Sequence, residues 1–294
     1  MQGYNLVVRH GSEQNYNYGA DMIIDGHAHA SGIFLKPESI INNLDKYGVD
    51  KVILVPGELE STKSYSLPNL AKMFPANNVV KVTNRLTKFV IGITGTVKQI
   101  PKGNEHVYNL THRTNGRVIQ FIWITQQMKN PTEYLSEKFT EWNFKGVKLH
   151  QCWENYSVDS DFFRTVAEWT EKNDLPLFIH LYSDNDVEQL IKYKKEHPNL
   201  KLIVAHLFGL EIFIEHNYKD ENLYFDTSTI QLTSTKRFMD AITFVGATNV
   251  TLGTDTPYGK DNIKKNIDRI RSLDISTKDK ELILGENMRG ILKI

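Results

Sequence analysis

Two histidines one residue apart, His27 and His29, close the apolar run that opens at Met22. Side chains alternate faces along a strand, so residues two apart point the same way. The pair therefore offers two imidazoles to one point, which is what two ligands on one metal ion require. Of the ten histidines, three more end short apolar runs: His150 after Gly-Val-Lys-Leu, His180 after Pro-Leu-Phe-Ile and His206 after Leu-Ile-Val-Ala. Asp255 follows a further run in Val-Thr-Leu-Gly-Thr-Asp-Thr-Pro. Neutral imidazoles and a carboxylate are the donors of a catalytic zinc site, which leaves one position open for water. Taken singly, a His-x-His pair is weak evidence, and His180 or His206 reads as well as a strand-end histidine bonded to a carbonyl. The metal reading rests on their falling together.

Convergence needs a scaffold. From Met22 onward short β-rich runs alternate with helix-like stretches, the pattern of parallel strands joined by crossover helices. Strands are expected at 22–29, 49–56, 117–125, 146–150, 175–181, 202–207, 223–227 and 250–254. Helices are expected at 36–47, 131–142, 159–172, 186–196 and 235–245, where apolar residues recur every three or four positions, as Phe162, Phe163, Val166 and Trp169 do. Asp184 stands as a cap before the helix at 186, and Pro198 follows its end. Eight β/α units predict a (β/α)8 TIM barrel, with the active site at the carboxyl ends of its strands. A doubly wound open sheet is the competing topology. In the barrel, His27, His29, His180, His206 and Asp255 share one rim.

The 294 residues suit one barrel over 22–294, with 1–21 an N-terminal extension of no sustained periodicity. The interval 58–116, between strands two and three, is far longer than one crossover needs and is a candidate lid. It is basic: nine Lys and Arg against three acids between Glu58 and Arg117, a local charge of +6 in a chain of net charge zero. Its apolar run 89–93 reads as an extra strand. No repeat of 20–50 residues is present beyond the β/α alternation.

The chain resembles the amidohydrolase superfamily of metal-dependent barrels, in particular the branch containing aminocarboxymuconate-semialdehyde decarboxylase (amidohydrolase family 2). The resemblance spans most of 22–294. It is carried by Ile-Asp-Gly-His-Ala-His (24–29), Phe-Lys-Gly-Val-Lys-Leu-His (144–150), the His180 strand, Ala-His-Leu-Phe-Gly (205–209), Leu-Gly-Thr-Asp-Thr-Pro (252–257) and Ile-Leu-Gly-Glu-Asn-Met-Arg-Gly-Ile-Leu (283–292). The resemblance implies a divalent metal, usually zinc, held by His27, His29 and His180, with Asp255 binding the metal or its water. It gives His206 the task of orienting that water or polarising the substrate. Binuclear members carry a bridging carboxylated lysine or a glutamate on strand four. Here Lys148 and His150 share one strand face there; Lys148 either bridges a second metal or lies deeper, paired with an acid, while His150 lines the pocket. One metal per chain is the favoured reading.

The reaction expected is metal-assisted hydrolysis of an amide, lactone or related small carboxylated substrate, with Asp255 taking the proton of water and His206 bonding the developing oxyanion. A non-oxidative decarboxylase uses the same ligands and is the alternative. Arg85 or Arg113 in the basic interval could grip a substrate carboxylate, although surplus positive charge is more often a solvated face. Tyr182, Trp153 and Phe208, near strand ends, either line a pocket or pack under loops. Asp226 and Ser228 read at least as well as turn or capping residues. The single cysteine, Cys152, excludes a disulfide framework, reads as an apolar filler and fits a cytoplasmic protein. Zero net charge disfavours nucleic acid as a partner, and the absence of a long apolar run argues against a membrane span or signal segment. The expected partner is a small-molecule substrate. A homo-oligomer is left open, with 58–116 as the surface for it.

Overall fold

The structure is a computed structural model that describes residues 22–59, 68–74, 79–94 and 96–294. Eight parallel strands follow one another in chain order: β1 (Ile24–Ala30), β2 (Lys51–Pro56), β3 (Val118–Trp123), β4 (Gly146–His150), β5 (Pro176–His180), β6 (Lys201–Val204), β7 (Leu223–Asp226) and β8 (Val250–Thr251). The last meets the first. Gly26 N donates to Leu252 O at 2.9 Å, Thr254 N to His27 O at 3.1 Å and His29 N to Thr256 O at 2.8 Å. Asp25 clasps the same seam, accepting from Thr254 Oγ1 at 2.6 Å and Thr254 N at 3.0 Å. The sheet is thus a (β/α)8 barrel and not an open doubly wound sheet.

Helices surround it: α1 (Pro37–Tyr47), α2 (Leu70–Met73), α3 (Val80–Thr94), α4 (Ile100–Arg113), α5 (Pro131–Trp142), α6 (Asp161–Lys172), α7 (Asp184–Glu196), α8 (Leu210–Glu215), α9 (Thr235–Val245), α10 (Asn262–Arg271), α11 (Thr277–Glu281) and α12 (Asn287–Leu292). Local chemistry explains their ends. Pro37 and Pro131 open α1 and α5, where a missing N–H costs nothing. Gly48 closes α1 at φ 65°, a left-handed position that glycine takes without strain. Ser183, not Asp184, caps α7, and Asp186 completes the reciprocal box, so that helix starts two residues before the expected 186.

Strand alternation divides the core in two. Val52, Leu54, Val147, Leu149, Leu177, Ile179, Leu202 and Val204 face outward beneath the helices. Ile53, Val55, Ile119, Phe121, Trp123, Phe178 and Ile203 fill the barrel, closed below by Met288, Ile291 and Leu292 of α12. Burying an aromatic such as Phe121 or Trp123 contributes roughly 2–3 kcal/mol. On β1 the pairing slips, since Asp25 faces Val52 while Ala28 faces Leu54, three residues against two. The bulge changes the parity of the strand, so that Ile24 and His27 both point inward.

The interval 58–116 holds α2, α3 and α4. Val107 and Leu110 of α4 join the outer core with Val52, Leu54 and Val118, which makes α4 the crossover between β2 and β3. What the interval adds is α2 and α3. The run 89–93, expected as a strand, lies within α3. A short apolar run does not distinguish strand from helix; here Val80, Asn84 and Ile91 recur on the buried face and decide for the helix. Residues 60–67, 75–78, 95 and the extension 1–21 lie outside the described residues. Among the described residues no helix is long and apolar enough to cross a membrane.

Candidate metal centre

At the carboxyl ends of the strands the expected residues meet. His27, His29 and Asp255 each bring a ligand atom within 4.8 Å of the others, all three buried. His29 Nε2 is 3.3 Å, and His27 Nε2 3.7 Å, from Asp255 Oδ1. His27 Nε2 is buried and has no hydrogen-bond partner among the described residues.

The rings are turned by partners on their far sides. His29 Nδ1 donates to Pro56 O at 2.8 Å, since a carbonyl only accepts, which leaves Nε2 as the nitrogen to ligate. His27 Nδ1 lies 3.1 Å from Asp226 Oδ2 and 2.9 Å from Ser228 Oγ. Burial, reinforced by Lys148, pulls His27 down to about 4, so it is neutral, with its proton on Nδ1 and its lone pair at Nε2. Burial would raise Asp255, but the imidazoles around it, His29 nearest, hold it well below the usual carboxylate range. Two imidazole lone pairs and a carboxylate converge, each oriented from behind, and this donor set fits a divalent cation.

His206 belongs to the same centre by an unexpected route. Strict alternation after Ile203 and Ala205 would send it outward. The strand instead ends at Val204, and His206 takes a left-handed φ of 58° that turns its ring inward, 5.3 Å from His27 and 4.6 Å from His180. A non-glycine residue there costs about 1–2 kcal/mol. His206 Nδ1 donates to Ser228 O at 2.8 Å, which frees Nε2.

His180 ends β5 inside the barrel, stacked on His150 at 4.0 Å, but its ligand atoms group with His150 and Cys152 and not with His27, His29 and Asp255. Its Nε2 lies 2.8 Å from Asn84 Oδ1, on α3. His150 Nδ1 accepts from Cys152 N at 3.2 Å. Burial raises the Cys152 thiol to about 12, in keeping with a filler. Lys148 is fully buried, its Nζ 4.1 Å above the Phe178 ring and without a hydrogen-bond partner among the described residues. Among the described residues no acid forms the ion pair with it that one of the two readings of Lys148 expected. Burial lowers the amine to about 7 against the pull of Asp255 and Asp226.

The remaining candidates have these surroundings. Arg85 is exposed on α3, and Arg113 is exposed and 3.7 Å from Glu38. Tyr182 carries Lys88 Nζ 4.0 Å over its ring, and Phe208 is buried in the outer core. Trp153 does reach the mouth, 4.8 Å from Trp123, which stacks on His150 at 5.3 Å and meets His29 at 6.2 Å.

Sequence reasoning undervalued Asp226. It accepts from His27, from Ser228 N at 3.2 Å and Oγ, and from His206 N at 3.3 Å. Gly253 makes room for it, since a Cβ there would collide with Asp226 Oδ1. Its place at the carboxyl end of strand seven was the available signal. Asn84 gave none, because nothing in a helical insertion points to the barrel mouth.

The sequence profile of an amidohydrolase family matches residues 24–294, and the chain belongs to that family. No curated protein is matched in sequence. Among solved structures, 2,6-dihydroxybenzoate decarboxylase in complex with 2,6-dihydroxybenzoate superposes with a TM-score of 0.67 at 15% identity, covering 93% of this chain and 99% of that one. A dihydroxybenzoic acid decarboxylase from Polaromonas sp. JS666 with bound manganese gives 0.64 at 14%, covering 92% and 97%. A probable 2-pyrone-4,6-dicarboxylic acid hydrolase from Acinetobacter baumannii gives 0.63 at 12%, covering 92% and 99%. At these identities the likeness establishes the fold. Membership of the family implies an enzyme that works with a divalent metal.

Proposed function

We propose that the protein is a hydrolase of small carboxylated substrates, amides or lactones, with one zinc per chain held by His27, His29, Asp255 and, once its ring is delivered, His180. The observation that carries this reading is the convergence of the His27 and His29 lone pairs with the Asp255 carboxylate. A divalent cation bound there lowers the pKa of water to about 7 and polarises a carbonyl. The chain's own residues do the rest. Asp255, held ionised, would accept the proton of the attacking water and return it to the leaving group. His206, whose Nδ1 is taken by Ser228 O, presents Nε2 to the same centre, where it would orient water by accepting its hydrogen. Asp226 and Ser228 keep both His27 and His206 in the tautomer these roles need. A single buried cysteine fits the cytoplasm as location.

A second reading, non-oxidative decarboxylation, is favoured by the mouth itself. Trp123, Trp153 and His150 form an aromatic wall beside His29, and Trp123 Nε1 is a buried donor without a partner among the described residues. Such a wall suits a planar conjugated ring, and the donor suits an oxygen on it.

Metal content of the purified chain, its His27→Ala variant and its Asp255→Ala variant tests the site. About one zinc in the wild type and none in His27→Ala is expected; full occupancy of both variants would contradict the ligand set. Turnover of lactones, amides and aromatic carboxylates, read as hydrolysed product against released carbon dioxide, separates the two reactions.

A further inference from the structure

Among the described residues of α3, Asn84 is the buried polar side chain that reaches the metal centre. Lys81 pairs with Asp184 at 2.6 Å and Lys88 Nζ donates to Asn155 Oδ1 at 3.1 Å, both near the surface, where such contacts hold weakly. Asn84 is 2% exposed. Its Nδ2 donates to Leu181 O at 3.0 Å, and because a carbonyl only accepts, the orientation of the amide is fixed. Oδ1 then faces His180 Nε2 at 2.8 Å, so that nitrogen carries the proton. A nitrogen that donates has no lone pair to give, so Nε2 of His180 cannot ligate while Asn84 holds it.

We propose that Asn84 is a positioning residue that competes with the metal for Nε2 of His180, so that α3 latches the fourth ligand away until Asn84 lets go. Ligation through this nitrogen and the Asn84 bond exclude each other. Release costs one buried hydrogen bond with its amide left to find water, and loosens the α3 face that carries Asn84. Metal binding and the seating of α3 are therefore opposed. The inference rests on the metal reading of the preceding section and adds a determinant from outside the barrel.

The test is zinc affinity of the full chain, measured by competition with a chromophoric chelator, in wild type, Asn84→Ala, His180→Ala and the double variant. Loss of one net hydrogen bond predicts zinc held about five- to tenfold more tightly by Asn84→Ala. In the His180→Ala background the Asn84 substitution is expected to change nothing. Equal or weaker affinity in Asn84→Ala, including no zinc in either protein, overturns the proposal. Nitrogen-15 shifts of His180 in the unmodified, metal-free chain supply a readout that does not depend on a variant folding: an Nε2–H ring is expected, and an Nδ1–H ring overturns the proposal. The two readings fail separately. Zinc bound by wild type and lost in His27→Ala upholds the metal site whatever Asn84 does.

Discussion

Asp226 Oδ2 lies 3.1 Å from Nδ1 of His27, at the far side of the ring from Asp255. The carboxylate is buried, and although burial alone would raise it, the His27 bond, the neighbouring imidazoles and Ser228 hold it low and ionised. It therefore fixes the His27 proton and directs the opposite lone pair at the metal position. Asp226→Asn replaces a pure acceptor with a group that also donates. Zinc affinity is expected to fall about 10–100-fold with the circular dichroism spectrum unchanged. Unaltered affinity would remove Asp226 from the centre.

Lys148 is a buried amine with an aromatic ring and no hydrogen-bonding partner among the described residues. If it bridges no metal, Lys148→Met should leave zinc at about one per chain and leave stability unchanged or raised by about 1–3 kcal/mol, because a desolvated amine without a partner among the described residues is removed. A fall from two metals to one on the same substitution would make it a bridging ligand.

Glu154 makes stability depend on pH. Burial raises its carboxyl from 4.5 to about 7, opposed by the Gln126 N–H that donates to Oε1 at 2.9 Å. Between these values the folded state binds more protons than the unfolded chain, so stability falls as pH rises from about 4.5 and levels off above about 7. The full cost is about 3 kcal/mol at 1.36 kcal/mol per pH unit. Glu154→Gln, which keeps an acceptor for Gln126, should unfold later than wild type at pH 8 and with it at pH 4. Parallel denaturation curves at both pH values would show that the carboxyl titrates normally.

Arg269 ties the loop after β7 to α10. Nη1 donates to Thr233 O at 2.6 Å, and Nη2 to Thr227 O at 2.8 Å and Asn266 Oδ1 at 2.9 Å. Arg269→Ala strands buried carbonyls and should cost about 3 kcal/mol, a fall in Tm of roughly 6–12 °C. Because Thr227 precedes Ser228, zinc affinity should fall as well. A Tm within a degree of wild type would mean that water replaces the guanidinium.

The sequence by itself determined the barrel and its rim. Alternation of β-rich and amphipathic runs is a local property, and the eight strands appear where it places them, because a parallel strand buried on both faces needs an apolar run and each crossover needs a helix. His27 and His29 were legible as a pair because two residues on one strand share a face whatever the rest of the chain does. Tertiary structure decided what depends on contacts across the barrel. The backbone reversal at His206 turns a ring that alternation sends outward. The extra strand at 89–93 became part of α3, since only the surface a helix packs on chooses between two readings of a five-residue run. Tautomers were decided there too: which nitrogen of His27, His29, His180 or His206 holds the proton follows from Asp226, Pro56, Asn84 and Ser228, partners that no spacing in the sequence brings together.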